Sequence, residues 1–179
     1  MWCGWVRGMV CTCDKEALRG CNCYVCAVPT PITRHNVPVL SPLEGASRLI
    51  GSLLSPGDTV VYESTVYPGL TETFCAPILE TVSGMKLNEG FFIGYSPERV
   101  NPGDKEHPVE RIVKITSGST PEAADRIDLL YNSVLQNGTH RAPSIKVAEA
   151  ATVAENAQRD VNIALMHAIA KTLEVLGVD

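Results

Sequence analysis

The sequence predicts an α/β fold, with a parallel sheet covered by helices on both faces. Two observations carry this expectation. Short apolar runs alternate along the chain with segments of helical period, the pattern of successive βα units. At 179 residues and 45% hydrophobic content, the chain has enough apolar material for one core of average size. "CYVCAV" (Cys23 to Val28) is the first buried strand. "SPLEGASRLIGSLL" follows as a helix, with Ser41 expected as its N-cap, Pro42 in the first helical position and Glu44 in the first turn. "DTVVYE" (Asp58 to Glu63) is the second strand. "TETFCAPILETVSG" (Thr71 to Gly84) is a helix closed by a glycine cap. "FFIGY" (Phe91 to Tyr95) and "RIVKIT" (Arg111 to Thr116) are short strands. "TPEAADRIDLLYNSV" is a helix capped by Thr120, with Pro121 and Glu122 in its first turn. "THRAP" (Thr139 to Pro143) is at most a short strand, and a long helix runs from about Ser144.

Charge and composition exclude several classes of function. The net charge of −5 comes from interspersed acids and bases without a basic run, which argues against nucleic acid and against a polybasic membrane anchor. No apolar run reaches the roughly 18 residues that span a bilayer. "MWCGWVRGMVCTC" is interrupted by Arg7 and is not expected to be a signal peptide, so the expected location is cytoplasmic. Six of the seven cysteines lie before Ala27, with C-x-C and C-x-x-C spacings that zinc sites also use. No histidine is placed to complete such a set, and Cys23 and Cys26 fall inside a strand, where cysteine acts as a small hydrophobe. No metal is therefore expected, and the odd cysteine count suits a reducing compartment.

In parallel sheets, ligands bind beyond the carboxyl ends of the strands. Two such ends are distinctive here. The first strand runs into "PTP", which holds Thr30 between Pro29 and Pro31. The second runs into "STVYPG", with Ser64 and Thr65 just past the strand. Hydroxyls on one sheet edge suit ribose, phosphate or carboxamide contacts; ordinary turn chemistry is the alternative. "GYSPERVNPGD" (Gly94 to Asp104) sets Glu98, Arg99 and Asn101 in a loop stiffened by prolines. An acid and a guanidinium there suit a charged, phosphorylated substrate, and a structural loop with local pairing of Arg99 is the alternative. On the long helix, Glu149, Thr152, Asn156 and Asp160 share one arc. That stripe is either a solvated face or a wall facing a substrate, and the apolar character of the rest favours the wall. From Val161 to Ala170 only Asn162 and His167 interrupt apolar residues, so this part calls for burial on all sides.

"PTP", "VVYESTVYPG", "GYSPERVNPGDKEH", "TSGST", "VAEAA" and the "EN-QRDVNIAL" pattern together resemble the UDP-glucose/GDP-mannose dehydrogenase family. The branch most alike oxidises UDP-N-acetylhexosamines (UDP-N-acetylglucosamine, -galactosamine or -mannosamine) for surface polysaccharide. The likeness runs from about Asp14 to Asp179. It implies an incomplete Rossmann-like parallel sheet with flanking helices, followed by the start of a long central dimerisation helix. The implied division is an unassigned segment 1–13, a partial NAD-binding domain 14–142, and the start of a central helical domain 143–179 through which a homodimer forms. It also implies oxidation of the sugar C6 alcohol to a carboxylate by successive hydride transfers to NAD, through a cysteine-bound thiohemiacetal and thioester that water then cleaves. By position, Thr30, Ser64 and Thr65 match the cofactor edge, with the two threonines as NAD contacts. Glu98 matches the glutamate of thioester hydrolysis. Arg99 and Val100 match substrate-loop contacts, and Asn156 the helix asparagine that holds the reacting oxygen. Gly103 matches the end of the substrate loop; Pro102 stands where the glucose-specific branch has a second acid, which favours the N-acetylated branch.

Three departures qualify the likeness. No G-x-G-x-x-G follows an initial strand, so the glycine turn of a dinucleotide fold has no counterpart. The family's nucleophilic cysteine lies beyond the long helix. The family's "AEAAK" is here "AEAAT", which puts Thr152 in the place of the catalytic lysine. Removing one electrostatic group of that kind slows such reactions by roughly 100- to 1000-fold. The competing expectation is accordingly a catalytically inactive fragment of such an enzyme.

Overall fold

The computed structural model of the protein describes residues 10–98 and 112–178. Five strands form one sheet in chain order: β1 (Cys23–Cys26), β2 (Asp58–Tyr62), β3 (Phe91–Tyr95), β4 (Lys114–Gly118) and β5 (Thr139–Arg141). The helices are α1 (Ser41–Gly51), α2 (Ala76–Ser83), α3 (Pro121–Asn132) and α4 (Ile145–Leu176). The expected α/β class, the flanking helices and the long terminal helix are all present.

The expected parallel direction holds for β1 to β3 and again for the β4–β5 pair, while β3 and β4 run antiparallel. Helices α1 and α2 carry the chain back between β1, β2 and β3, the crossover that parallel pairing requires. The sequence from Ser96 to Val113 has three prolines and no helical period, unlike the helical segments that precede β2 and β3. Side chains lock the reversal: the Ser96 hydroxyl donates to the Ile115 carbonyl (2.8 Å) and the Ser117 hydroxyl to the Tyr95 carbonyl (2.8 Å). Close approach needs glycine here. A Cβ on Gly94 would run into Ile127 and the Ser117 carbonyl, and one on Gly118 into the backbone of Ala124.

One face of the sheet packs Tyr24, Val60, Tyr62 and Ile93 against Leu43 and Ile50 of α1 and Leu79 of α2. On the other, Val61 meets Ile127 and Tyr131 of α3, with Leu135 beyond. Cys26 is buried in the first of these cores, in keeping with its reading as a hydrophobe, and Cys75 is buried there too. Among the described residues, no group of His, Cys, Asp and Glu side chains is arranged to hold a metal ion, and no helix is long and apolar enough to cross a membrane.

Four helix starts tell different stories. Thr120 accepts from the Ala123 amide (3.1 Å) and Ser144 from the Val147 amide (3.2 Å), each in the extended conformation an N-cap requires. Ser41 was expected to cap α1, but Leu40 is already helical, so Ser41 becomes the first helical residue and no side chain caps the turn. The helix expected from Thr71 begins instead with a π-turn, Thr71–Cys75, in which the Ala76 amide bonds the Thr71 carbonyl. Pro77 causes it: proline lacks the amide that an α-turn would use and clashes with the carbonyl four residues back. The far end of α2 closes on Gly84 in the left-handed region (φ 71°), as expected.

Candidate functional site

The carboxyl ends of β1, β2 and β3 lie side by side because those strands are parallel. Backbone bonds continue the ladder past the strands, from the Glu63 amide to the Cys26 carbonyl (2.9 Å) and from the Ser96 amide to the Tyr62 carbonyl (2.9 Å). The three exits open on a crevice of about 430 Å³, lined by Val28 and Thr30 after β1, Glu63, Ser64 and Thr65 after β2, and Glu98 after β3. That volume lies within the roughly 300–1,000 Å³ of small-ligand clefts. Thr30, Ser64, Thr65 and Glu98, singled out from scattered parts of the sequence, thus share one wall. A neighbouring hollow joins Thr30 and Thr65 to Tyr67, Leu70 and Val153 of α4.

Two of the three hydroxyls also hold the wall together. Thr30 donates to the Thr65 carbonyl (2.8 Å) and Ser64 to the Val28 carbonyl (2.6 Å). Their protons are committed to cross-loop bonds, which leaves oxygen lone pairs as acceptors toward the crevice. Thr65 itself is exposed. The turn bonds and an acceptor edge are therefore compatible, since each hydroxyl donates to a loop and keeps its lone pairs. This edge fits hydroxyl- and amide-bearing parts of a dinucleotide. A backbone nest for its pyrophosphate would be a separate element, and no G-x-G-x-x-G occurs in the sequence.

The helix stripe divides in two. Glu149 is fully buried, and its carboxylate accepts the amides of Gly69 and Thr71, the latter at 3.0 Å. Thr152 is also buried, and its hydroxyl donates to the Ala148 carbonyl (3.1 Å). Asn156 and Asp160 are exposed, and the Asn156 side-chain oxygen accepts from Arg159 (3.4 Å). The expectation of a continuous substrate-facing wall is thus corrected for its buried end: Glu149 anchors the loop after β2. Asn156 stands on α4 about one turn past Val153 and does not line the crevice. Arg99, Val100 and Gly103 lie outside the described residues.

Sequence reasoning missed the group beneath the crevice. Lys114 is buried, and its ammonium pairs with Glu63 Oε1 at 3.0 Å and donates to the Pro97 carbonyl at 3.0 Å. The Tyr131 hydroxyl donates to the same Glu63 oxygen (2.6 Å), and the Tyr131 ring lies 4.9 Å from the ammonium. Burial first, and then the Glu63 carboxylate, push the Tyr131 phenol well above its ordinary range, so it stays a donor. A lysine inside the apolar run "RIVKIT" was the available signal, because a buried cation must find a partner.

A mostly parallel α/β sheet with hydroxyls at its carboxyl edge defines a nucleotide-binding class of domain. Residues 7–135 match the model of the UDP-glucose/GDP-mannose dehydrogenase family, NAD-binding domain, and the chain belongs to that family. It is 56% identical over 168 residues to a UDP-N-acetyl-D-glucosamine 6-dehydrogenase of Pseudomonas aeruginosa, covering 94% of this chain and 40% of that protein. A protein of the same description from Salmonella typhi is 53% identical with the same coverage. The structure of a UDP-D-ManNAc dehydrogenase from Pyrococcus horikoshii superposes with a TM-score of 0.85 at 34% identity, covering 93% of this chain and 39% of that one. The chain spans about 40% of the length of these relatives.

Proposed function

We propose that this chain is part of an NAD-dependent UDP-N-acetylhexosamine 6-dehydrogenase, which converts the sugar C6 alcohol to a carboxylate for surface polysaccharide. The observation that carries the reading is the convergence of Thr30, Ser64, Thr65 and Glu98 on one crevice at the carboxyl edge of the sheet. Thr30, Ser64 and Thr65 hold NAD, which accepts hydride when bound. Glu98 orients the water that releases the acid, Arg99 and Val100 contact the substrate, and Asn156 holds the reacting oxygen. The match to relatives that act on UDP-N-acetylglucosamine favours that sugar within the N-acetylated class. Residues 14–142 are then part of the NAD-binding domain and 143–179 the start of a helical domain that forms a homodimer, in the cytoplasm.

Thr152 favours a second reading, in which the chain has no useful catalysis of its own. It stands in the lysine position, and its hydroxyl is spent on the Ala148 carbonyl. Grafting residues 14–179 in place of the matching stretch of the Pseudomonas aeruginosa relative separates the two. With Thr152→Lys, the graft should form NADH from NAD and UDP-N-acetylglucosamine, roughly 100- to 1000-fold faster than the graft carrying Thr152. Absence of NADH from the lysine form would overturn the dehydrogenase reading. Equal rates would remove Thr152 as the cause of inactivity.

A further inference from the structure

The Lys114, Glu63 and Tyr131 cluster is assembled from the start of β4, the end of β2 and α3. Stability alone does not require it. A buried ion pair gains little over apolar residues of similar volume, because both charges lose their hydration. What apolar residues could not supply is a charged donor for the Pro97 carbonyl. Pro97 has no amide, so the carbonyl is its only backbone handle. That carbonyl lies in the same rigid peptide plane as the Glu98 amide, and fixing it fixes the direction in which the Glu98 Cα departs. The residue before is pinned as well. The Ser96 amide bonds the Tyr62 carbonyl (2.9 Å), and its hydroxyl bonds the Ile115 carbonyl (2.8 Å). The clamp therefore reaches the peptide plane that carries the Glu98 Cα.

We infer that Lys114 is a positioning residue for Glu98: held by Glu63 and Tyr131, its ammonium locks the Pro97–Glu98 peptide plane and so aims the Glu98 carboxylate into the crevice. The antiparallel turn of β4 makes this possible, because it brings the first residue of that strand to the carboxyl ends of β2 and β3. The inference rests on the proposed role of Glu98 as the carboxylate that orients the hydrolytic water.

The test uses nuclear magnetic resonance on the full chain. In the native protein, the Lys114 ammonium should give a slowly exchanging resonance coupled through the hydrogen bond to the Pro97 carbonyl carbon. A rapidly exchanging, uncoupled ammonium would overturn the inference without any variant. Lys114→Met combined with Glu63→Gln removes the cation without leaving a buried charge alone. In it, the Glu98 amide should become mobile, its order parameter falling from the roughly 0.85 of rigid backbone to below about 0.6. Lys114→Arg should recover part of the order. An unchanged Glu98 order parameter in a folded double variant would sink the proposal. In the graft with Thr152→Lys, the double variant should lower kcat for acid formation and leave KM for the sugar in place; a change in KM alone also counts against it. Failure of the Glu98 reading looks different. Glu98→Gln would then leave acid formation intact in the graft, while the resonance experiments still report the clamp.

Discussion

Glu149 gives its two carboxylate oxygens to the amides of Gly69 and Thr71 at the point where the loop after β2 enters the π-turn. Glu149→Ala would leave both amides without an acceptor in a buried place, at a cost of about 1–3 kcal/mol each. Urea unfolding should show that loss, and a change below about 0.5 kcal/mol would mean the anchor is dispensable. The buried thiols set a pH dependence. Burial pushes Cys26 up to about 11 and Cys75 up to about 12, from an ordinary value near 9. The unfolded chain therefore loses these two protons at lower pH than the folded one. Their contribution to stability is intact below pH 9 and declines as pH rises through 9 toward 11 to 12. Chemical unfolding at pH 8 and pH 10 should show the decline, and Cys26→Ser with Cys75→Ser should flatten it. In the native state at pH 8, alkylation should reach exposed Cys11, Cys13 and Cys21 well before Cys26 or Cys75.

Among the elements, α4 carries the sharpest contrast. Its first two turns bury Ile145, Ala148, Glu149 and Thr152, while Val161, Leu165 and Met166 are 65%, 55% and 60% exposed. At 32 residues the helix is about 48 Å long, far more than this sheet can cover. Exposed apolar residues over that length call for a partner surface. The chain should self-associate in sedimentation experiments, and Leu165→Glu with Ile169→Glu should return it to monomer; a monomeric parent would rule out this face as an interface. Much of this level was legible in advance. The N-cap at Thr120, the start of the long helix near Ser144, the Gly84 cap and the five strand segments follow from local chemistry. The Ser41 cap and the uninterrupted helix from Thr71 did not survive, because the helical conformation at Leu40 and the clash at Pro77 each overrode a local preference.

At the scale of the molecule, the sheet gathers the crevice wall from residues 27 to 98. Cofactor affinity should nevertheless be weak. A dinucleotide is held chiefly through its pyrophosphate by a glycine turn and helix N-terminus, and the sequence has no G-x-G-x-x-G. Calorimetry with the isolated chain should detect no micromolar NAD binding, and a micromolar Kd would require a different phosphate cradle.

By itself, the sequence determined the class of fold, the order of its elements and most of the crevice residues. Those features rest on apolar period, proline turns and motifs only a few residues long, so each is encoded where it occurs. Only the tertiary structure decided the direction of β4, the task of Glu149 and the cluster of Lys114, Glu63 and Tyr131. Direction depends on how a connection returns. A buried charge takes its meaning from partners far away in the chain: Glu149 from amides 78 and 80 residues distant, Tyr131 from an acid 68 residues distant. No local pattern specifies such pairs, because the sheet must form before the residues can meet.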